Sequence, residues 1–335
     1  MSSLIQPYAD RHENPQGEGD SRPSAIQIIE DEGLINKMTD KVMLVTGSSS
    51  GIGIETVRAL HATGAHIFMQ VRDMKRGQEV LEDIRSTSKG TGKLELLEMN
   101  LDSLKSVRAG AEEFLKKSEK LNVLVNNAGI RNPPEGKTVD GFEIQFGTNH
   151  LGHFLLFQLL RPTLLASSTP EFNSRVLNVS SGSHRRGPIH FDNLNLDGIY
   201  TPRLGYAQSK TANILMANQI ERLYGSQGLH GFSISPGAIR SRAQRHDDPK
   251  ELESVLPKIK NFLKDASQGA ATTVWGAVAK VLEGKGAMYL EDCGEAAEAT
   301  TDDVLSGGYA PFAFDEEAEK RLWHVSCELV GAKDE

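Results

Sequence analysis

The chain has 335 residues, 38% of them apolar and 24% charged, which suits one large buried core and argues against a fibrous or wholly disordered protein. A net charge of −8, with no stripe of basic and aromatic residues, argues against a nucleic-acid partner. Cys293 and Cys327 form no metal or redox motif, and so few thiols point to a reducing, cytoplasmic setting.

The charge is uneven: residues 1–36 carry a net −5 and residues 283–335 a net −10, which leaves the middle of the chain near +7 and suited to an anionic ligand. Residues 1–36 read as a flexible arm, because the run from Asn14 to Asp20 is too polar to fold alone. The arm lacks the basic start and apolar stretch of a signal peptide. Residues 41–45 are apolar and β-branched, a buried strand, and residues 54–60 begin a helix. Between them Thr46-Gly47-Ser48-Ser49-Ser50-Gly51-Ile52-Gly53 forms a tight turn. Glycines at 47, 51 and 53 allow the bend, bring backbone N–H groups near a pyrophosphate and pack the helix against the strand. The first gap is wider than in G-x-G-x-x-G.

Further strand-like runs follow at 65–70, 94–99, 122–125, 175–179, 231–234 and 287–290, and helical patterns lie between them, including 143–165 and 207–223. This alternation predicts an α/β chain: a single-domain Rossmann fold, a doubly wound parallel sheet of about seven strands with helices on both faces. Ligands then bind at the carboxyl ends of the strands. The apolar run at 154–160 is far too short to span a bilayer, so no membrane span is expected. His150, His153, His184 and His190 have no ligand spacing, and no metal is expected.

Tyr206 and Lys210 stand four apart, a spacing that on a helix puts both side chains on one face. A phenol ionises near pH 10, and an ammonium one turn away stabilises its phenolate, so the pair forms a candidate acid/base unit. The glycine turn, Asn126-Asn127-Ala128-Gly129, Asn149, Ser180-Ser181, the Tyr206–Lys210 pair and Pro236-Gly237 occur in one order over residues 38–330. In this the chain resembles the short-chain dehydrogenase/reductase family. Arg131, Asp140-Gly141-Phe142-Glu143, the run from Asn149 to Phe154, Ser209 to Asn213 and Arg321-Leu322-Trp323 are similar to its retinol dehydrogenase and WW-domain oxidoreductase branch.

The resemblance implies that Tyr206 moves a proton to or from a substrate oxygen and that Ser181, rather than Ser180, hydrogen-bonds that oxygen. Lys210 would lower the phenol pKa and hold the nicotinamide ribose, and Asn149 would hold a water linking Lys210 to solvent. Ser180 and Ser181 also suit a capping role after their strand. The cofactor would lie against Gly47, Ser49, Ser50, Gly51, Ile52 and Gly53, then Arg72, Asn100 and Leu101, then Asn127, Ala128 and Gly129. Tyr206, Lys210, Pro236, Gly237, Ile239 and Ser241 would complete its site. Val71 occupies the family's acidic position and Arg72 follows it, which favours NADP (NADPH) over NAD. Asn100 stands where the family usually has Asp and keeps an acceptor oxygen for adenine.

The catalytic domain is expected to span 37–330, with a substrate lid at about 238–264 and a short tail at 331–335. The segment 184–203 is read as a loop beside the substrate. An aromatic loop at 307–314 favours a lipophilic carbonyl or alcohol, whereas Arg240, Arg242, Arg245, His246, Asp247 and Asp248 leave a polar or acidic substrate open. The partner expected is a small-molecule substrate, and a homo-oligomer is compatible with the sequence. Specialised metabolism suits such an oxidoreductase as well as retinoid or steroid chemistry does. Two other readings stand beside this one: a non-catalytic dinucleotide-binding interaction protein, and an NAD-dependent epimerase or dehydratase.

Overall fold

The computed structural model describes residues 4–240, 242–301, 303 and 306–334. Among the described residues ten strands form: β1 (Val42–Thr46), β2 (His66–Val71), β3 (Leu94–Glu98), β4 (Val123–Asn126), β5 (Ser174–Val179), β6 (Leu229–Ser235), β7 (Ala238–Ile239), β8 (Leu263–Lys264), β9 (Met288–Glu291) and β10 (Gly294–Glu295). The main sheet runs β10-β9-β6-β5-β4-β1-β2-β3, and β7 and β8 make a separate parallel pair. Seven of the eight main strands are parallel, as the alternating pattern predicts. The eighth, β10, turns back antiparallel on β9 and is too short at two residues to leave a periodic signal. Its outer side is met by the chain's beginning, where Glu295 N donates to the Ile5 carbonyl at 2.7 Å.

Both faces of the sheet are covered, which is why central strands such as β1 and β4 read as nearly unbroken apolar runs, whereas the edge strand β3 carries Glu95 and Glu98. Met43 and Val45 point into one core with Val57, Leu60 and Trp275; Leu44 and Phe68 point into the other with Phe114, Phe154 and Trp323. On the second face the helix Pro202–Tyr224 carries Tyr206 and Lys210, and the helix Glu316–Val330 packs against it. Strand order reverses beside β1, whose neighbours are β2 and β4, so a crevice opens there at the carboxyl ends. The helix expected over 143–165 is broken into Ile144–Phe146, a π-turn at Gly147–Leu151 and Gly152–Ser167. That wider turn contains Asn149.

The N-terminal segment is not the flexible arm that its polarity predicts. A helix at Ala25–Asp31, capped by the Ser24 hydroxyl, lies against the helices Ile52–Ala62 and Ala266–Val278, and Ile28 and Ile29 are wholly buried. Arg22, also buried, donates to the carbonyls of Gly17, Phe262 and Leu263 at 3.0, 3.0 and 2.6 Å and pairs with Asp20 at 2.8 Å. It therefore ties the N-terminal segment to β8 at the end of the lid. One short helix supplies only half a packing surface, and its other half lies some 240 residues away, beyond the reach of local patterning. Deleting residues 1–31 is accordingly expected to destabilise the fold, with Ile29→Ala alone costing about 2–5 kcal/mol. Urea denaturation of both variants checks this; midpoints equal to the parent's would show that the segment does not support the core.

Candidate active site

A cleft of about 820 Å³ opens over the carboxyl ends of the central strands. Its floor is the glycine turn. Gly47 has φ of 69°, and a Cβ there would press on the Ala128 backbone; a Cβ on Gly53 would strike the Gly47 carbonyl and the Asn127 side chain. The turn is held by Gln70, whose Oε1 accepts from Gly47 N at 2.9 Å while its Nε2 donates to the Met99 carbonyl at 2.6 Å. The helix Ile52–Ala62 starts at this point and directs unpaired N–H groups outward.

Gly47, Ser49, Ser50, Gly51, Ile52, Arg72, Asn100, Leu101, Asn127, Ala128 and Gly129 all line the cleft, as do Ser181, Tyr206, Lys210, Pro236, Gly237 and Ile239. Gly53 lies beneath the turn instead, where its missing side chain lets the helix approach the strand. Ser241 lies outside the described residues. Arg72 is exposed, and among the described residues it has no carboxylate partner; neighbouring Asp73 caps the helix Met74–Thr87. Asn127 Oδ1 is buried without a hydrogen-bond partner among the described residues. A narrow glycine cradle at a helix N-terminus, an exposed arginine at the end of β2 and a buried open acceptor fit a nicotinamide dinucleotide.

At the other end of the cleft Tyr206 and Ser181 line the wall side by side. Burial raises the phenol above its ordinary value of 10, and the Arg131 guanidinium, 5.8 Å from the ring centroid, opposes that rise, with the neighbouring Ser181 hydroxyl second. Lys210 is buried with Nζ 5.5 Å from the same centroid, donating to the Val179 carbonyl at 2.8 Å. Desolvation lowers its pKa to about 8. Arg131 thus joins Lys210 as a second cation beside the phenol, the two lying 5.8 and 5.5 Å from its ring centroid. Ser180 turns away and donates to the Lys210 carbonyl at 2.8 Å, so only the second serine reaches Tyr206.

Asn149 is wholly buried and does not line the cleft. Its Oδ1 accepts from Ile130 N at 2.8 Å and its Nδ2 donates to the Ile130 carbonyl and to Ser209 Oγ, both at 3.0 Å. A Cβ on Gly129 would stand 3.3 Å from Asn149 Oδ1 and 3.5 Å from Lys210 Nζ, so both groups crowd against that glycine. Asn149 therefore fixes the loop between Gly129 and Ile130 over the reacting end.

Thr46 and His153 complete this support and were not recognisable in the sequence. Thr46 Oγ1 accepts from the N–H groups of Asn127 and Ala128, each at 2.9 Å. It lies 2.9 Å from His153 Nε2, and His153 Nδ1 lies 2.9 Å from the Asn149 carbonyl. That carbonyl can only accept, so Nδ1 carries the proton and Nε2 accepts from Thr46. Arg131 also pairs with Asp247 of the lid at 3.2 Å, and Asn132 Nδ2 donates to the same carboxylate at 2.6 Å. The position of Arg131 just after Ile130 was the available signal for its place here.

A family model described as short chain dehydrogenase matches residues 41–252. The chain is 50% identical over 329 residues to the short-chain dehydrogenase/reductase prx1 of Penicillium roqueforti, covering 98% of this chain and 96% of that protein. It is 37% identical to human retinol dehydrogenase 11 over 295 residues, 88% of this chain and 87% of that one. Among solved structures, the Pseudomonas aeruginosa RhlG/NADP active-site complex aligns with a TM-score of 0.61 at 25% identity, covering 76% of this chain and 96% of that chain. With the cleft, its tyrosine and its glycine cradle, these matches place the chain in the short-chain dehydrogenase/reductase family of oxidoreductases.

Proposed function

We propose that the protein is an NADP(H)-dependent enzyme interconverting a carbonyl and a secondary or primary alcohol on a lipophilic small molecule, in the cytoplasm and within specialised metabolism. The observation that carries this reading is that Ser181, Tyr206 and buried Lys210 line one end of a single cleft whose floor is the glycine turn. A nicotinamide dinucleotide held along the glycine turn, Arg72 and Asn127 would supply or accept the hydride. Tyr206 delivers a proton to the substrate oxygen in reduction and removes it in oxidation, and Ser181 holds that oxygen. Lys210 and Arg131 supply positive charge that favours the phenolate over the phenol. Asn149 acts through the Ile130 backbone and Lys210's surroundings rather than on substrate. The likeness to a retinol dehydrogenase supports an apolar substrate body, and Val255, Ile259 and Phe262 of the lid offer apolar lining for one. Two buried free cysteines suit a reducing compartment.

The NADP preference rests on Arg72, exposed at the end of β2 with buried Val71 in place of a ribose-binding acid. Arg72→Ala is expected to weaken NADPH by about 1.5–3 kcal/mol and to leave NADH nearly unchanged, because only NADPH carries a phosphate for the guanidinium. Titration calorimetry with both cofactors checks it, and equal losses would remove Arg72 from cofactor selection. Oxidation of NADPH by the purified enzyme with a panel of aldehydes and ketones tests the reaction itself; no turnover on any member, despite tight NADPH binding, would favour a non-catalytic role.

A further inference from the structure

Ser306 and Gly307 line the cleft, as do Ser181 and Glu291. The aromatic residues that follow do not. Tyr309 and Phe314 stack with ring centroids 4.1 Å apart and pack with Phe312, Ala313 and buried Ile214 and Tyr289 in a small core of their own. What this segment turns to the cleft is therefore a hydroxyl and bare main chain, not the aromatic cover that its sequence suggests. Gly307 and Gly308 also sit at positive φ, 76° and 83°, and offer no side chain to hold them there. Their position is set by other elements. Arg185, on the short 3₁₀ turn Gly182–Arg186 that Ser181 caps, donates through Nη1 to the Gly307 carbonyl at 2.7 Å and to Ser306 Oγ at 3.3 Å, and through Nη2 to the Thr301 carbonyl. Glu291, the last residue of β9, accepts from Gly308 N at 2.8 Å through one carboxylate oxygen and from Ser235 Oγ at 2.9 Å through the other. His184 adds a third tie: its Nε2 accepts from Ala310 N at 3.1 Å while its Nδ1 donates to the Ser181 carbonyl at 2.7 Å. Main-chain groups from Gly307 to Ala310 are thus held by the Ser181 turn on one side and by the end of β9 on the other. Hydrogen bonds with one charged partner are the strong ones, and a guanidinium can fork across several acceptors at once.

We propose that Arg185 and Glu291 are positioning residues for the substrate: they fix Ser306–Gly308 as a wall of its pocket at a set distance from Ser181. This rests on the carbonyl–alcohol reading above and adds the residues, remote from the reacting oxygen, that govern the fit. Arg185 and Ser181 share one short turn, so the wall and the hydroxyl that holds the reacting oxygen keep a common frame. A substrate resting against the wall then brings its oxygen to Ser181 and Tyr206 in one orientation. Arg185 itself does not line the cleft, and all its hydrogen bonds among the described residues go to this one segment, so its effect on substrate passes through the wall.

The test combines amide hydrogen exchange with steady-state kinetics on the whole protein. In Arg185→Ala the amides of residues 307–310 are expected to exchange at least about tenfold faster than in the parent, whereas peptides from β1 and β4 keep the parent rates. With the carbonyl compound that the parent reduces best in the NADPH panel, Arg185→Ala and Glu291→Ala should each raise KM at least about tenfold and change kcat less than about threefold. Arg185→Lys should recover part of the fit, because an ammonium still donates to the Gly307 carbonyl. Glu291→Gln should recover most of it, because its amide oxygen accepts from Gly308 N and its NH₂ donates to Ser235 Oγ. Unchanged exchange in Arg185→Ala, faster exchange with KM at the parent value, or Glu291→Gln behaving like Glu291→Ala overturns the proposal. A parent enzyme that reduces none of the carbonyl compounds rejects the carbonyl–alcohol reading and the substrate role with it; turnover with an unmoved KM in the variants rejects this proposal alone.

Discussion

Tyr206→Phe is expected to lower turnover on the order of 10²–10⁴-fold while leaving dinucleotide affinity close to the parent's. The ring still packs beneath Arg131 and beside Lys210, so the cleft keeps its shape, and only the transferable proton is lost. Because the missing interaction is made while the proton moves, kcat falls and KM changes little. The pH profile gives a second, independent reading. Oxidation of an alcohol needs the phenolate, so its rate rises with pH through the phenol pKa, which burial holds above 10. Arg131→Gln removes the charge that opposes this rise, and the rising limb should move to still higher pH. Steady-state rates in both directions, with cofactor binding followed by fluorescence, check these outcomes; parent-like turnover in Tyr206→Phe would remove Tyr206 from the chemistry.

The parts of the site visible in the sequence are those whose meaning is local. The glycine turn shows itself because a strand ends and a helix begins within a few residues, and Tyr206 and Lys210 because one helical turn joins them. The parallel strands show themselves for a related reason, since burial on both faces leaves short, largely apolar runs such as those of β1 and β4. What stayed hidden depends on partners far along the chain. Thr46 and His153 are 107 residues apart, and Gly47 and Gln70 are 23 apart, so neither pair has a periodicity to reveal it. The N-terminal segment is the plainest case. Polarity around Asn14 to Asp20 predicts a flexible arm, yet that polarity is consumed internally: Asp20 accepts from the Arg22 backbone and side chain, and Gly19 N donates to Gln268 at 3.0 Å. Its Ile28 and Ile29 become core only once the helix Ala266–Val278 is in place.

Acid should unfold this protein well before its carboxylates are all neutral, because His150, His153 and His184 are essentially inaccessible and each is held in its uncharged form. Burial lowers their pKa values from 6.5 to about 3, about 4 and about 4 respectively. His184 shows why geometry reinforces burial. Its Nδ1 lies 2.7 Å from the Ser181 carbonyl and must donate, so Nε2 is the acceptor for Ala310 N at 3.1 Å, and protonating Nε2 would set two donors against each other. Protonation of His153 would likewise reverse its bond from Thr46 and loosen the backbone of Asn127 and Ala128. Above pH 6.5 the three are neutral in both folded and unfolded chains and stability is unaffected. As pH falls from 6.5 toward 4, the unfolded chain takes up protons that the folded one refuses, and stability declines by about 1.4 kcal/mol per pH unit per histidine. By pH 5 that is about 2 kcal/mol for each, a sum comparable to the whole stability of many domains. Glu143 and Glu291, whose pKa values burial raises, act in the opposite sense and offset part of the loss. Urea denaturation at pH 7 and pH 5 should show the decline, and His184→Gln should make it shallower by about one proton's worth. Equal stability at the two pH values would mean that these histidines open to solvent at little cost.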